Sequence, residues 1–446
     1  MQIPNKTEAV LARLTAGGYR AYAVGGCVRD TLLGRTPGDW DICTSALPQE
    51  TRACFPECRV VETGLKHGTL TVLWQGEPFE ITTFRREGGY ADHRHPTTVD
   101  FVDSLEEDLS RRDFTVNAMA ADAAGTILDP FGGREDLKNR IIRCVGDPNL
   151  RFQEDALRIL RALRFASRLE FTIAPETAAA MEKHRLLLRN ISGERIYREL
   201  TGLLLGPGAG TVLERYGTVL EAVLPEIGPA MGFPQRNPNH NRDVWGHTVE
   251  AVAHSRPEKL VRWALLLHDL GKPDCSTVDD RGIGHFYGHP VRSAEMAREI
   301  FSRLHADRET AETVCTLVRH HDDGAPVTRK TVRRWLGRYG STVLLALLEV
   351  KRADTLAHAN TPAARERYRA VLAFTALTHQ VLREETCFSV KDLDLTGRDL
   401  LALGMRPGPA VGQMLQRLLE DVWEERCPNR RQDLLAQAQK GLEHAD

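Results

Sequence analysis

The 446-residue chain lacks an excess of charge of either sign, because 59 lysines and arginines oppose 61 acidic residues and leave a formal charge of −2. Overall charge therefore gives no nucleic-acid signature, and any such contact must rest on local arginine clusters. The chain also lacks an early apolar segment resembling a signal peptide and any hydrophobic run long enough to span a bilayer. These absences predict a cytoplasmic protein without a membrane partner.

A disulfide pattern is absent as well. The nine cysteines are odd in number and show no repeated close spacing, which favours reduced thiols. Cys54 and Cys58 form the only close pair, and without nearby partners they indicate core filling rather than a metal clip. There is no fixed-period repeat and no low-complexity linker, and the length predicts about two to four domains.

The first segment with candidate functional residues is residues 25–42, GGCVRDTLLGRTPGDWDI. The pattern predicts a strand (AYAV), a double-glycine turn, a short helix opening at residues 28–30, and a second strand. Gly25 and Gly26 allow a tight turn close to a ligand, and amide groups at a helix start attract phosphate. Arg29 adds a forked cation. The stretch predicts a phosphate-binding turn.

The predicted second strand carries Asp39 and Asp41. Side chains at i and i+2 of a strand share a face, so these carboxylates form a divalent-metal holder. With the glycine turn they indicate metal-assisted phosphoryl or nucleotidyl transfer, in which Mg²⁺ bridges carboxylates and a triphosphate. The alternative is an ordinary turn followed by a solvated strand end, which is less compatible with both features occurring together.

Further candidates follow along the chain. The segments GTLTVLWQG and PFEITTFR predict two strands, of which the second carries Glu80 as a third carboxylate or an ordinary outward charge. REGGYADHRHP predicts a mobile loop, and Arg112 lies ahead of an expected apolar helix. LDPFGGREDLKNRIIRCVGDP is expected to form a loop, a hairpin and a domain boundary.

From Asp147 onward the strand signal disappears and helical periodicity dominates. RFQEDALRILRALRFASRLEF places leucines on one helical face and a charged stripe on another. Such a stripe is usually solvated, but few acidic partners occur at i±4. A row of cations that holds a triphosphate and a base is the alternative. The stripe consists of Asp155, Arg158, Arg161 and Arg164.

Imidazoles and carboxylates recur on the helices after residue 237, which is metal-ligand chemistry. A single buried histidine is more often a satisfied core residue, but an ordered set favours a metal site. A metal also relieves the cost of burying a carboxylate. The candidates are His247, His268, Asp269, His289, His320, His321, Asp322 and Asp354.

Five motifs in order, GGCVRD, GDWDI, FEITTFR, RRDFTVNAMA and EDALRILRALRFASRLEF, resemble the bacterial class II CCA-adding tRNA nucleotidyltransferases of the DNA polymerase β superfamily. Residues 240–360 resemble an HD phosphohydrolase domain, with its H…HD…H…H…D pattern at His247, His268 with Asp269, His289, His320 and Asp354. The resemblance implies an α+β protein. It consists of a mixed α/β head with a polymerase β-like sheet (1–146), a helical neck and body (147–236), an HD-type domain (237–361) and a helical tail (362–446).

The resemblance implies addition of C, C and A to tRNA 3′ ends from CTP and ATP. By position, Asp39 and Asp41 would hold Mg²⁺ and Glu80 would be the third carboxylate. The expected nucleotide-binding residues are Gly25, Gly26, Arg29, Arg112, Asp155, Arg158, Arg161 and Arg164. The segment from Arg85 to His95 matches the flexible element for adding the final A, which argues against an enzyme that adds only CC.

Asp155 and Arg158 are expected to read the incoming base. Cytosine and adenine both present an amino donor beside a bare ring nitrogen, whereas uracil and guanine present a carbonyl beside an N–H. One carboxylate and one guanidinium at i and i+3 of a helix match the first pair. The alternative is an intrahelical salt bridge without a role in base choice.

For the HD site, imidazole and carboxylate ligands without thiolate are compatible with Ni²⁺, Mn²⁺, Co²⁺ or Fe. Two rival functions remain open at this point. One is a poly(A) polymerase of the same superfamily, and the other is an HD phosphohydrolase whose head only senses nucleotides.

Overall fold

The computed structural model describes residues 1–90 and 96–443. The chain forms two compact units, one comprising Met1–Gly228 with Ser302–Ala306 and the other comprising Pro229–Phe301 with Asp307–Asp446. All nine cysteines are unpaired thiols. Among the described residues, none of the helices combines the length and apolar character that a bilayer crossing requires.

The first unit contains eleven of the described strands and eleven helices. The strands are β1 (Ala21–Val24), β2 (Ile42–Thr44), β3 (Arg59–Gly64), β4 (Thr69–Trp74), β5 (Glu77–Thr83), β6 (Arg85–Tyr90), β7 (Pro96–Phe101), β8 (Ala120–Ala121), β9 (Ile127–Leu128), β10 (Ile141–Ile142) and β11 (Thr172–Ile173). The helices are α1 (Asn5–Ala16), α2 (Gly26–Leu32), α3 (Pro48–Cys54), α4 (Leu105–Ser110), α5 (Gly133–Asn139), α6 (Pro148–Glu154), α7 (Leu157–Leu169), α8 (Pro175–His184), α9 (Gly193–Leu204), α10 (Ala209–Arg215) and α11 (Gly217–Leu220).

A mixed sheet organises the N-terminal part of this unit, and its order within the described residues is β3-β4-β5-β2-β1-β8-β9. Among the described strand pairs of this seven-stranded sheet, only β2 and β5 are parallel, with Ile42 opposite Ile81. Alternation of apolar and polar side chains in β4 and β5 buries Leu70, Val72, Phe79 and Ile81 on one face. The fold is therefore α+β, with the mixed sheet first and a mostly helical region after it.

Several local expectations differ from the structure. Strand β2 begins at Ile42, so Asp39 and Asp41 lie in the extended segment that leads into it. The expected loop contains strands β6 and β7, which pair as a hairpin, and residues 91–95 of that loop, including His95, lie outside the described residues.

Two further expectations fail in opposite directions, since an expected helix is mostly absent and an expected hairpin contains a helix. The segment after Asp113 forms one 3₁₀ turn (Thr115–Asn117) followed by strand β8. The expected hairpin before residue 147 contains helix α5, and β10 pairs in parallel with β11, which lies beyond residue 147. Long-range pairing decides these conformations.

The second unit is mainly helical. Its helices are α12 (Val244–His254), α13 (Lys259–Leu267), α14 (His289–Arg303), α15 (Arg308–His320), α16 (Arg329–Ala357), α17 (Pro362–Glu384), α18 (Gly397–Ala402), α19 (Pro409–Trp423) and α20 (Arg431–Glu443). A short antiparallel ribbon joins β12 (Thr277–Val278) and β13 (Gly284–His285). Helices α18, α19 and α20 enclose a separate apolar cluster around Leu400, Leu418 and Leu434.

Candidate active site and candidate metal centre

The glycine turn of the first unit follows β1 directly. Gly25 has φ +82°, a left-handed conformation that L side chains rarely adopt, and its N–H donates to the Met119 carbonyl at 3.2 Å. A Cβ at this position would lie 2.9 Å from Nη1 of Arg112. Glycine therefore lets the backbone at the start of α2 approach the Arg112 guanidinium.

Three carboxylates gather at the edge of the sheet beside this turn. The Val24 N–H donates to the Asp41 carbonyl at 2.9 Å, which extends the pairing of β1 up to the aspartate. Because Ile42 is paired in parallel with Ile81, Asp41 and Glu80 stand next to each other on adjacent strands. Burial and the charges of Asp39 and Glu80 raise the pKa of Asp41 to about 6, against the lowering effect of Arg112. Clustered hard oxygen donors of this kind fit a magnesium ion.

A buried hydrogen-bonded chain links α2 to α7. Nη1 of Arg29 donates to Oδ1 of Asn117 at 2.5 Å, and Nδ2 of Asn117 donates to Oδ1 of Asp113 at 3.1 Å. Nε of Arg161 donates to the other oxygen of Asp113 at 2.8 Å. Burial alone would raise the pKa of Asp113, but Arg161 and Asn117 outweigh it and lower the pKa to about 2. This chain fixes two of the expected nucleotide-binding arginines.

Phe165 on α7 is surrounded by guanidinium groups. The centroid of its ring lies 5.2 Å from Cζ of Arg29, 5.5 Å from that of Arg161 and 4.8 Å from that of Arg164. Contacts of this type stabilise a cation over the face of a ring. The charged stripe on α7 is therefore a partly buried, packed surface rather than a solvated one.

The sequence predicted that Asp155 and Arg158 lie on one helix. In the structure only Arg158 lies on α7, and Asp155 precedes that helix. Asp155 separates α6 from α7 with extended dihedral angles (φ −135°, ψ 102°), and its carboxylate accepts from the Leu157 N–H at 3.1 Å. Its second oxygen lies 3.2 Å from Nη2 of Arg195 on α9. Arg158 is buried and pairs with Glu154 at 2.6 Å. The i, i+3 salt bridge is therefore absent, because the carboxylate caps α7 instead of continuing the helix.

The sequence also underestimated the acidic partners of the stripe. Arg161 pairs with Asp113 and Arg164 pairs with Glu199, 2.9 Å from its Nε. Both carboxylates are remote in sequence, on the segment before the 3₁₀ turn and on α9. A local i±4 pattern could not reveal them, because only the fold brings these segments together.

The second unit contains a compact cluster of four imidazoles and two carboxylates. His247 lies on α12, His268 and Asp269 follow α13, His289 begins α14, His321 follows α15 and Asp354 lies on α16. Nε2 of His247 is 2.8 Å from Oδ1 of Asp354, and Nε2 atoms of His268 and His289 are each 3.3 Å from an oxygen of Asp269. We call these six residues the His–Asp cluster.

Each imidazole of the His–Asp cluster is fixed by its other nitrogen. Nδ1 of His247 is 3.2 Å from the Ala357 carbonyl oxygen, and Nδ1 of His268 is 2.7 Å from that of Leu265. His289 and His321 make the same contact with the carbonyls of Phe286 at 2.9 Å and Val318 at 2.6 Å. A proton held on Nδ1 by a carbonyl leaves Nε2 as the electron-pair donor, which is the arrangement of metal-binding histidines.

His320, which the sequence placed among the metal ligands, lies outside the cluster. Its Nδ1 is 2.7 Å from Oδ2 of Asp323, and its ring packs 5.4 Å from that of Tyr339. His321 takes the position instead, with Nε2 3.8 Å from Oδ1 of Asp269. Helical periodicity could have given this result, since residue 321 continues the buried face of Val314 and Val318 whereas residue 320 does not.

The His–Asp cluster fits a divalent metal on two observations. Ligand atoms lie within 4.8 Å of one another in two groups, His247 with His268 and Asp354, and His268 with Asp269 and His321. Nε2 of His268 is buried without a hydrogen-bond partner among the described residues, and it lies 3.3 Å from Oδ2 of Asp269. Burial lowers the pKa of His268, but the charges of Asp269 and Asp354 outweigh it and raise the pKa to about 10. A metal cation bound at Nε2 of His268 would take the place of the proton that these two carboxylates favour there.

A cavity of about 300 Å³ opens beside the His–Asp cluster. Its lining includes Asp269, His289 and His321, together with three cationic or polar groups that the sequence did not reveal, Lys272, Arg367 and His240. Nζ of Lys272 lies 2.7 Å from Oδ2 of Asp269. Burial lowers the pKa of His240 to about 2, so this ring is uncharged. The cavity can therefore admit an anionic ligand next to the candidate metal.

Three family models match separate parts of the chain. The Poly A polymerase head domain matches residues 21–143, and the model described as "Probable RNA and SrmB-binding site of polymerase A" matches residues 170–231. The tRNA nucleotidyltransferase domain 2 matches residues 291–438, a range that crosses the sequence-based boundary between residues 361 and 362. These matches fall in both compact units, and residues 232–290, which carry His247, His268 and Asp269, lie between the second and the third.

Individual proteins give longer similarities. The CCA-adding enzyme of Levilactobacillus brevis is 37% identical over 432 residues, which cover 96% of this chain and 95% of that protein. The CCA-adding enzyme of Geobacillus thermodenitrificans is 48% identical over 266 residues, 59% of this chain and 62% of that relative's length.

A solved structure extends the similarity over the whole chain. The crystal structure of the Bacillus stearothermophilus CCA-adding enzyme in complex with CTP has a TM-score of 0.75 and 32% identity, covering 100% of this chain and 99% of that one. The chain therefore belongs to the family of class II CCA-adding enzymes.

Proposed function

We propose that the chain adds C, C and A to the 3′ end of tRNA from CTP and ATP, without a nucleic-acid template. The observation that carries this proposal is the 37% identity to a CCA-adding enzyme over 96% of the chain. The carboxylate cluster beside the Gly25 turn supplies the chemistry. In the reaction, the tRNA 3′ oxygen forms a bond to the α-phosphorus, the bond to pyrophosphate breaks, and the 3′ hydroxyl proton is released.

Asp39, Asp41 and Glu80 are the residues that would hold Mg²⁺. When bound there, the ion would activate the 3′ hydroxyl and stabilise the charge on the leaving pyrophosphate. Burial raises the pKa of Asp41 to about 6, and the neighbouring charges of Asp39 and Glu80 add to this shift, which supports the role because a cation would relieve both effects. Arg29 and Arg112 would hold the triphosphate, and the glycine turn lets the backbone approach it.

Base choice would rest on Asp155 and Arg158. To read a base, the Asp155 carboxylate must leave Arg195 and bind the edge of cytosine or adenine instead. The Arg158 guanidinium must leave Glu154 in the same way. Since Asp155 stands between two helices rather than inside one, a small change in its dihedral angles can move it independently of α7. Arg161 and Arg164 would support the phosphates and the stacked Phe165.

A poly(A) polymerase is the nearest rival, because two of the matched family models carry that description. Incubation with tRNA lacking its 3′ CCA, together with CTP and ATP, separates the possibilities. Growth by three nucleotides supports CCA addition, long A tails support the rival, and no extension supports a head that only senses nucleotides.

We propose a second function for the His–Asp cluster, metal-dependent hydrolysis of phosphate esters, independent of nucleotide addition. The observation that favours it is the pair of ligand groups within 4.8 Å beside a cavity with cationic walls. His247, His268 and Asp354 would hold one ion, and Asp269, His289 and His321 would complete a second position. Nitrogen and oxygen donors without thiolate suit Ni²⁺, Mn²⁺, Co²⁺ or Fe, and such an ion lowers the pKa of bound water.

We propose that the chain has the four domains that the sequence predicted. We place the nucleotidyltransferase head at residues 1–146, the neck and body at 147–236, the HD-type domain at 237–361 and the tRNA-binding tail at 362–446. Support for the HD-type domain comes from the His–Asp cluster, whose residues all lie between 247 and 354. Support for a separate tail comes from the apolar cluster of α18, α19 and α20.

A further inference from the structure

One imidazole beside the His–Asp cluster differs from the others in its hydrogen bonding. Nδ1 of His240 is buried and has no hydrogen-bond partner among the described residues. The four histidines of the cluster each anchor Nδ1 on a main-chain carbonyl. His358 does the same, with Nδ1 2.9 Å from the Asp354 carbonyl oxygen. A buried ring nitrogen without a partner is costly, so its persistence indicates a partner that arrives from outside the chain.

The position of His240 is fixed by its loop. The Ala359 N–H donates to the Asn239 carbonyl at 2.8 Å, and the His240 N–H donates to the Asn237 carbonyl at 2.9 Å. The His240 ring lies 4.9 Å from the ring of His247 and 4.5 Å from that of His358, measured between centroids. The backbone therefore holds the ring against the cluster, although the ring makes no ion pair with Asp269 or Asp354 among the salt bridges of the described residues.

His240 also lines the cavity into which the cluster opens. That cavity is lined by the carboxylates of Asp269, Asp322 and Asp354, of which the first and last would hold metal, and by the cationic side chains of Lys272 and Arg367. A ligand there would meet cations on the wall as well as metal at the floor, which selects for an anion. A phosphate ester, either a monoester or a cyclic diester, carries negative charge for both the wall cations and the metal. Its oxygens also accept hydrogen bonds.

We infer that His240 is a substrate-contacting residue of this site, whose ring N–H donates a hydrogen bond to an oxygen of a phosphate ester held at the His–Asp cluster. The inference rests on the proposed hydrolytic function and assigns it a residue outside the metal ligands. His240 holds and orients the substrate, while the ligand residues hold the metal.

The test compares His240→Leu, which removes the donor at similar volume, with His240→Gln, which retains an amide donor. His254→Gln is the matched control, since His254 lies on α12, is exposed, and faces Glu250. Hydrolysis of p-nitrophenyl phosphate and bis(p-nitrophenyl) phosphate is measured on full-length protein loaded with Ni²⁺ or Mn²⁺. Metal content, affinity for inorganic phosphate by calorimetry, and C addition to tRNA are measured on the same samples.

We expect His240→Leu to lower kcat/KM about 10- to 100-fold and to weaken phosphate binding about 10-fold, as loss of a hydrogen bond to a charged group predicts. Metal content and C addition stay at the wild-type level. His240→Gln should recover part of both losses, and His254→Gln should resemble wild type.

Two results would overturn the inference alone. One is wild-type hydrolysis and phosphate affinity in His240→Leu, and the other is loss of bound metal in that variant, which would make His240 a ligand or a support. A wild-type protein that hydrolyses neither compound with any of the four metals would instead overturn the hydrolytic function, and the inference with it. C addition, measured in parallel, reports separately on the head.

Discussion

The candidate nucleotide site of the first unit, which includes Asp155 and Arg158, and the His–Asp cluster of the second unit differ in how their side chains are held before any ligand binds. In the first, the base-reading candidates are engaged by other protein groups, Asp155 by Arg195 and Arg158 by Glu154. In the second, Nε2 atoms converge on Asp269 and Asp354 while Nδ1 atoms are anchored on carbonyls. The side chains of the second site are therefore already arranged for a ligand, whereas Asp155 and Arg158 of the first would have to leave their protein partners before binding one.

This difference has a functional reason. Under the proposed function, a site that accepts two different bases in turn would require side chains that can be released, and the salt bridges to Arg195 and Glu154 would keep their charges satisfied meanwhile. A metal site gains from rigidity, because ligands ordered in advance lose little conformational entropy on binding. The following predictions break or sharpen this contrast, beginning with the largest effect.

Removing a carboxylate beside the glycine turn should abolish nucleotide addition. Asp39→Ala or Asp41→Ala is expected to lower addition of both C and A by about 10³-fold or more, since metal-based stabilisation contributes several kcal/mol. Hydrolysis at the His–Asp cluster should persist. The measurement is extension of tRNA lacking CCA, with Asp103→Ala, an exposed carboxylate, as control. Near wild-type extension in either variant would refute the assignment.

The two adjacent histidines at the C-terminal end of α15, His320 and His321, should behave oppositely. Asp269→Ala and His321→Ala are expected to reduce bound metal and hydrolysis by about 10²-fold, because each removes a buried ligand. His320→Ala should retain metal, since its ring bonds to Asp323 instead. Metal analysis after dialysis and phosphatase assays provide the measurements. Equal metal loss in the two histidine variants would contradict the geometry.

Asp155→Ala should relax base choice without abolishing chemistry. Loss of the carboxylate leaves nothing to accept from the amino group of cytosine or adenine, so the ratio of kcat/KM for CTP to that for UTP should fall about 10²-fold. Arg164→Ala, which loses its pairing with Glu199, should lower efficiency with a smaller change in this ratio. An unchanged ratio in Asp155→Ala would leave that residue as a cap of α7 only.

The smallest effect concerns stability. Because the pKa of Asp113 is lowered to about 2, its ion pair stabilises the folded state above about pH 4, and this contribution is lost as the pH falls from about 4 towards 2. Asp113→Asn should therefore reduce the free energy of unfolding by about 2 kcal/mol at pH 7. Melting temperatures of variant and wild type should approach each other near pH 3. A constant difference across this range would exclude the ionised pair as its cause.

Much of the first site could be predicted from local pattern. Gly25 requires a left-handed conformation, and alternation identified the strands that carry Glu80. The hairpin of β6 and β7 was missed, since its glycines resemble a loop until the two strands are paired. Asp155 was misplaced because helical periodicity continues through it, whereas its side chain caps the next helix.

The sequence by itself determined the family, the order of the motifs and most of the candidate site residues, because these depend on residue type and short spacing. Tertiary structure decided which remote carboxylates, Asp113 and Glu199, pair with the arginines of α7. It also revealed His240, whose ring meets the cluster only when its loop packs against the end of α16. The physical reason is that burial and long-range hydrogen bonding are set by packing, which local periodicity does not specify.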